Sequence, residues 1–194
     1  MSLEMFQKLM VMLLPICIAT LQLFTEKGEV QLITKKEGYI VGVLRIVLNV
    51  SFMISILAFV FHPETLSSGQ FQLPELIVFL GALVALISAV VMVSSFQHLR
   101  NNFSGSITIK ARQQLVTTGP YRYVRHPIYL SYFLWNVANI GLTQNAIIVG
   151  LGFSLLGLVI FFRLAKEESL LLGEFGEEYV QLKKRTGAIF PKLV

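Results

Sequence analysis

The chain alternates long apolar runs with short polar segments. Four apolar runs cover roughly residues 6–24, 39–61, 73–96 and 128–162. A membrane-spanning helix needs about 20 residues, so each of the first three runs predicts one span. The fourth is too long for one span, and its polar sequence 141–145 predicts a tight turn between two arms, 128–140 and 146–162. The pattern predicts an all-α integral membrane protein with about five transmembrane helices, the last two forming a helical hairpin.

Composition supports a membrane protein and narrows its chemistry. Of the 194 residues, 55% are apolar and 14% are charged, against about 25% charged in a typical soluble domain. All 11 acidic residues are Glu, which excludes chemistries that require Asp dyads or Asp-rich cation loops. The single cysteine, Cys17, excludes an intramolecular disulfide and a Cys-rich metal site. No metal centre is expected.

The distribution of positive charge predicts an orientation. The net charge is +5, but the basic residues lie between apolar runs and do not form the face of a soluble domain, so no nucleic-acid partner is expected. Most of the 16 Lys and Arg residues fall in the segments after spans one and three and after span five. The positive-inside rule then predicts a multi-pass protein with a cytosolic C-terminus.

The two halves of the chain differ in polar content. Residues 1–96 consist almost entirely of the first three membrane helices, whereas residues 97–194 hold nearly all the polar groups with specific spacing. We interpret the whole chain, 1–194, as a single membrane domain with a cofactor-binding and catalytic second half. A C-terminal helical segment, in which Leu170, Leu171, Phe175, Tyr179 and Leu182 follow helical spacing, is predicted to lie on the cytosolic surface.

Three polar groups in the second half are candidates for a site. A Gly-Pro-Tyr turn ends at Tyr121, and an Arg-His-Pro-x-Tyr sequence begins span four at residues 125–129. At the exit of span five, Arg163 and Glu167 are four residues apart and therefore share a helix face. Each group alone has a plain structural interpretation: a connecting turn, an interfacial tyrosine, or a surface ion pair.

In this order and spacing, the three groups resemble the isoprenylcysteine carboxyl methyltransferase family over roughly residues 113–191. The resemblance implies S-adenosyl-L-methionine as methyl donor, with S-adenosyl-L-homocysteine as product, bound at the cytosolic face of the last two membrane helices. It implies catalytic roles for Arg163 and Glu167, with Arg163 at the substrate end. The cofactor-binding residues that it implies are Gln113, Gln114, Leu115, Val116, Tyr121, His126, Pro127, Ile128, Tyr129 and Glu167. The family commonly has His at the position of Gln113, and Gln retains both hydrogen-bond donor and acceptor groups.

The implied reaction esterifies the C-terminal carboxylate of a prenylated cysteine in the presence of membrane lipids. Such a carboxylate is already ionised at neutral pH and needs a positioning cation rather than a general base. Arg163 offers a bidentate fork for it. Three alternatives stay open: methylation of an amine or thiol on a phospholipid or other small apolar molecule, an NADPH-dependent sterol-type reductase, and a non-enzymatic membrane module.

Overall fold

The computed structural model describes residues 1–24, 39–99 and 114–192. Six long helices follow one another within these ranges: α1 (Leu3–Phe24), α2 (Tyr39–Phe61), α3 (Glu75–Leu99), α4 (Pro127–Thr143), α5 (Ala146–Val159) and α6 (Ala165–Arg185). Short 3-10 turns lie at Pro63–Gly69 and Gly119–Arg122. Within the described ranges, extended pairing is limited to isolated bridges. The predicted all-helical fold class is therefore confirmed.

Three helices of the described chain are long and apolar enough to cross a membrane. They cover Gly42–Phe61, Glu75–Leu99 and a continuous stretch, Ala146–Arg185. This stretch is continuous because a π-helical turn, Ile160–Leu164, joins α5 to α6. Several of the expected membrane helices are thus present, while the count of five spans and the cytosolic C-terminus stay predictions.

The interior is formed mainly where α3 packs on α4. Small residues allow this close approach: a side chain at Gly81 would meet the carbonyl of Ala138, and one at Gly141 would meet the carbonyl of Ile77. The Ser88 hydroxyl also donates to the carbonyl oxygen of Ser131 at 2.8 Å. Buried apolar side chains from α1 to α5 complete this core, among them Val11, Ile56, Met92, Trp135, Leu142 and Ile148.

The hairpin is confirmed, but its turn is shorter than the predicted 141–145. Helix α4 continues through Gly141 and Thr143, because Gly141 packs against α3 instead of opening a loop. Gln144 takes a left-handed conformation with φ of 46° and ends α4. Asn145 then caps α5 by accepting hydrogen bonds from the backbone N–H groups of Ile147 and Ile148. The first arm therefore has 17 residues rather than about 13.

The C-terminal segment is not a single straight helix lying on a surface. Helix α6 is kinked at Gly176, whose φ of 49° and ψ of −122° are not helical. Of the five predicted apolar contacts, Tyr179 and Leu182 are buried, whereas Leu170 remains 38% exposed. After the kink, the chain returns to the N-terminus of α4, where Val124 and Gly187 form a parallel bridge.

Candidate active site

The beginning of α4 is held in place by the C-terminal segment. Pro127 occupies the first turn of α4, where a missing N–H leaves no hydrogen bond unmade. His126 is the preceding cap residue. The backbone N–H groups of Arg125 and His126 donate to the carbonyl oxygens of Gly187 and Ala188, each at 2.9 Å. These bonds fix the backbone from which both side chains extend toward α6.

Glu167 lies opposite α4 and accepts hydrogen bonds from two helices. The Tyr129 hydroxyl lies 2.9 Å from each of its carboxylate oxygens. Arg163, one turn earlier, places Nε at 3.3 Å and Nη2 at 3.1 Å from Oε1. Because Glu167 is only 22% exposed, this pairing compensates for part of the desolvation of its charge.

Glu168 takes a different set of partners. Its Oε1 lies 2.8 Å from both Nε and Nη2 of Arg125, so that two guanidinium nitrogens share one carboxylate oxygen. Its Oε2 accepts from Nζ of Lys183 at 2.7 Å. Arg125 also donates from Nη1 to the carbonyl oxygen of Thr186 at 2.6 Å. Glu168 thereby joins the start of α4, the start of α6 and the end of α6.

His126 lies between the two carboxylates. Its Nδ1 is 3.7 Å from Oε2 of Glu167, and its Nε2 is 3.5 Å from Oε1 of Glu168. The ring stacks on Tyr129 with centroids 5.6 Å apart. The side chain is 9% exposed, and Nε2 is buried with no hydrogen-bond partner. A buried polar atom in this position is suited to a ligand's hydrogen bond.

We call this group the carboxylate cluster. It comprises Arg125, His126, Tyr129, Arg163, Glu167, Glu168 and Lys183.

Tyr121 borders the cluster from the 3-10 turn. Its side chain is buried, and burial raises the pKa of its phenol well above the ordinary value, with the negative charge of Glu167 raising it further. Tyr121 is therefore neutral at physiological pH and can donate a hydrogen bond. Its turn is compact because Gly119, with φ of 59°, packs directly against the ring of His98.

The structure brings together only some of the residues implied by the family resemblance. Tyr121, His126, Tyr129, Arg163 and Glu167 lie in or beside the carboxylate cluster. Pro127 starts α4, and Ile128 packs against the apolar core. Gln114, Leu115 and Val116 form an irregular segment leading into the 3-10 turn, and Gln113 lies outside the described residues. The binding role of every one of these residues stays a prediction.

The sequence did not identify Arg125 or Lys183 as site residues. Arg125 belongs to the Arg-His-Pro-x-Tyr sequence, so its proximity to His126 was an available signal. Lys183 lies 15 residues after Glu168, in a run of three basic residues that is typical of ordinary surface charge. Only the non-helical Gly176 between them, which the sequence presents as one glycine among others in a helical pattern, allows their contact.

Part of the chain matches a known protein family. Residues 79–173 match the isoprenylcysteine carboxyl methyltransferase family. The matched range contains the start of α4, the hairpin and both carboxylates of the cluster, but it ends before Lys183. The resemblance drawn from the motifs over residues 113–191 is therefore confirmed where the two ranges overlap, at residues 113–173.

Curated relatives carry the name protein-S-isoprenylcysteine O-methyltransferase. The protein from Dictyostelium discoideum is 31% identical over 116 residues, which cover 57% of this chain and 48% of the relative. The human protein is 35% identical over 102 residues, covering 51% of this chain and 34% of the relative. The chain thus spans no more than about half the length of these relatives.

A solved structure shares the fold. It is described as the eukaryotic intramembrane Ras methyltransferase, isoprenylcysteine carboxyl methyltransferase. The TM-score is 0.53 with 22% sequence identity, over 79% of this chain and 51% of the other. This likeness supports the helical membrane architecture of the chain.

Proposed function

We propose that this chain is an S-adenosyl-L-methionine-dependent methyltransferase that esterifies the C-terminal carboxylate of a prenylated cysteine. The observation that carries the proposal is the position of Arg163 and Glu167. Nη2 of Arg163 lies 3.1 Å from Oε1 of Glu167. This pair stands at the end of the apolar part of the helix that α5 and the π-turn form. A cation at that boundary suits a substrate with an anionic end and a long apolar chain. The family match over residues 79–173 supports the same chemistry.

The residues of the carboxylate cluster fit the methyl donor. S-adenosyl-L-methionine carries a positive sulfonium, an ammonium and a carboxylate, and when bound it supplies the methyl group. Glu167 can compensate for positive charge on the donor, while His126 presents a buried Nε2 without a hydrogen-bond partner. Tyr121 adds a neutral phenol beside Glu167. We assign donor binding to these three residues, together with Tyr129.

The acceptor requires positioning rather than deprotonation. A C-terminal carboxylate is ionised at neutral pH, so methyl transfer to it needs no base, only alignment of the reacting groups. In our proposal, the Arg163 guanidinium holds that carboxylate. An amine acceptor would need to lose a proton, and Glu168 is a poor proton acceptor because His126, Lys183 and Arg125 lower the pKa of its carboxyl. This favours the carboxylate acceptor.

The membrane arrangement follows from the two substrates. A prenyl chain is costly to remove from lipid, at about 0.8 kcal/mol per CH₂, so we propose that it enters laterally between helices. The charged donor enters from the cytosol. We therefore propose that the chain crosses the membrane five times, with α4 and α5 as the last two spans. The carboxylate cluster and the C-terminus would then lie at the cytosolic face.

The test is methyl transfer from labelled S-adenosyl-L-methionine by the purified protein in detergent, with two acceptors offered together. One acceptor is a farnesylated cysteine with a free carboxylate, and the other is phosphatidylethanolamine. We expect base-labile label on the farnesylcysteine, as a methyl ester requires. Label on the phospholipid amine alone would support S-adenosyl-L-methionine as the methyl donor but refute the prenylcysteine carboxylate as the acceptor. Label on neither acceptor would refute the proposed activity.

A further inference from the structure

An open groove of about 500 Å³ lies beside the 3-10 turn Gly119–Arg122. Its volume is in the range of about 300–1,000 Å³ that is common for ligand sites. The described residues that line it include no member of the carboxylate cluster, so it is a separate surface. Most of the lining is aliphatic and comes from α3, the 3-10 turn, α4 and the segments beside them: Val91, Pro120, Val124, Leu130 and Pro191.

The groove extends from the end of a membrane-long helix into its apolar part. Gly119 packs against the ring of His98, so the 3-10 turn lies level with the last turn of α3. Ser94 and Val91 precede the end of α3 by five and eight residues, or about 8 and 12 Å along the helix. Because α3 is apolar enough to cross a membrane, this part of the groove lies at hydrocarbon depth.

The end of the groove at the 3-10 turn is positively charged. Arg122 is the one charged residue among the described residues that line the groove, and its side chain is exposed. Two other arginines of this region, Arg125 and Arg163, are paired with Glu168 and Glu167. In the part of the chain that the structure describes, Arg122 has neither an ion pair nor a side-chain hydrogen bond. Its guanidinium is therefore available to an anion from outside the chain.

The chemistry of the groove changes along its length as the chemistry of a phospholipid does. Arg122 and the phenol of Tyr123, which is 61% exposed, present hydrogen-bond donors at the membrane boundary. Arginine and tyrosine at this level are typical contacts of lipid headgroups. Below them, Val91 and Leu130 offer only aliphatic surface, which suits an acyl chain. No acidic residue is among the described lining residues to repel a negatively charged headgroup.

We propose that this groove binds an anionic phospholipid of the surrounding membrane. The headgroup contacts Arg122 and Tyr123, and one acyl chain lies between Val91 of α3 and Leu130 of α4. This inference does not depend on methyl transfer, because the groove and the carboxylate cluster share no residue. It also differs from ordinary contact with lipid on the exposed apolar helix faces, which does not select a headgroup.

The first experiment measures the binding of single lipid molecules to the purified protein by native mass spectrometry in detergent. We expect phosphatidylglycerol to bind roughly fivefold more tightly than phosphatidylcholine, as is typical of one basic side chain near a membrane surface. Arg122→Gln should bring the two affinities to within about twofold. The matched control, Arg185→Gln, removes the same charge from the exposed end of α6 and should keep the preference.

Either of two results would overturn the role of Arg122. One is a preference for phosphatidylglycerol that persists in Arg122→Gln. The other is an equal loss of preference in Arg185→Gln, because the effect would then follow net charge. Both results would leave the proposed methyl transfer untouched.

The second experiment locates the acyl chain. Phosphatidylglycerol with a diazirine on one acyl chain should crosslink to the peptides that contain Val91 and Leu130, as identified by mass spectrometry. Leu130→Trp fills the groove and should reduce these crosslinks severalfold, whereas Leu130→Met nearly conserves the volume and should match the wild type. If Leu130→Trp does not fold, Val91→Phe narrows the groove from its other wall and should have the same effect.

Two crosslinking results would contradict the lipid site. Crosslinks spread evenly over the exposed faces of α2 and α3 would show ordinary contact with surrounding lipid. Loss of the groove crosslinks on addition of excess farnesylcysteine would assign the groove to the methyl acceptor instead.

Discussion

The two ends of α4 use polar side chains in different ways. At its C-terminal end, Asn145 satisfies two backbone N–H groups of α5 and donates to the carbonyl oxygen of Leu66 at 2.8 Å. Gln144 likewise accepts from the backbone of Leu73 at 2.7 Å. At the N-terminal end, side chains pair with one another, and His126 retains a buried nitrogen without a hydrogen-bond partner. The first arrangement closes a turn, and the second leaves a position for a ligand.

This comparison predicts that substitutions at the two ends have separable effects. Changes in the carboxylate cluster should reduce ligand binding or catalysis in a protein that remains folded. Changes at the hairpin turn should reduce stability without altering the activity of the protein that remains folded.

The largest effect is expected for Arg163→Ala. Loss of the guanidinium removes the proposed anchor of the acceptor carboxylate, so methyl transfer should fall at least about 100-fold, as is typical when a positioned charge in an active site is lost. Affinity for S-adenosyl-L-homocysteine should change less than about threefold, since Arg163 is assigned to the acceptor. Lys166→Ala, on the exposed side of α6, is the control and should remain active. Retained activity in Arg163→Ala would refute the proposal that Arg163 holds the acceptor carboxylate.

Glu167→Gln should weaken donor binding by roughly 30-fold, or about 2 kcal/mol, because the amide keeps the shape but loses the charge. It also leaves Arg163 without its partner at 3.1 Å. Calorimetry with S-adenosyl-L-homocysteine measures this effect, with the exposed Glu174→Gln as a control of equal charge change. Unchanged affinity would remove Glu167 from the donor site.

Asn145→Ala should lower stability by about 1–2 kcal/mol, because it removes the cap of α5 and the hydrogen bond to the Leu66 carbonyl. Thermal unfolding in detergent measures the loss. Asn145→Asp keeps the capping oxygen and should lose less, which separates the cap from the bond to Leu66. Methyl transfer per folded molecule should match the wild type. A specific loss of activity would break the distinction between the two ends of α4.

The smallest effect is expected for Tyr129→Phe. It removes the hydroxyl that donates to Glu167 at 2.9 Å but preserves the ring that stacks on His126. Donor affinity should fall about fivefold, equivalent to roughly 1 kcal/mol. Tyr123→Phe removes a hydroxyl from a side chain that is 61% exposed and should have no effect. An equal response in both variants would show that the Glu167 contact is not used.

Much of the architecture follows from local features of the sequence. The apolar runs predict the helices because a membrane helix must bury about 20 apolar residues. The pair Arg163 and Glu167 was predictable because residues four apart share a helix face. The hairpin was predictable from its polar turn. Gly141 was predicted to lie in that turn but lies inside α4, because its contact with α3 depends on packing between helices.

The remaining parts of the site depend on contacts between distant segments. The sequence shows that Gly176 lies in a helical pattern but not that its backbone leaves the helix there. The contact of Lys183 with Glu168 and the bonds from the start of α4 to Gly187 and Ala188 follow from that single change of direction. The sequence therefore gives no sign that Glu168, next to Glu167, joins three segments in the structure.

The central claim is that the carboxylate cluster, rather than another surface of the protein, binds the methyl donor. A second candidate surface is present: an open groove of about 500 Å³ beside the 3-10 turn, lined by residues including Val91, Pro120 and Leu130. The direct measurement is an experimental structure of the wild-type protein with S-adenosyl-L-homocysteine bound. We predict ligand atoms within hydrogen-bond distance of Nε2 of His126 and of the Glu167 carboxylate. Ligand bound in the groove, with His126 and Glu167 uncontacted, would contradict the account.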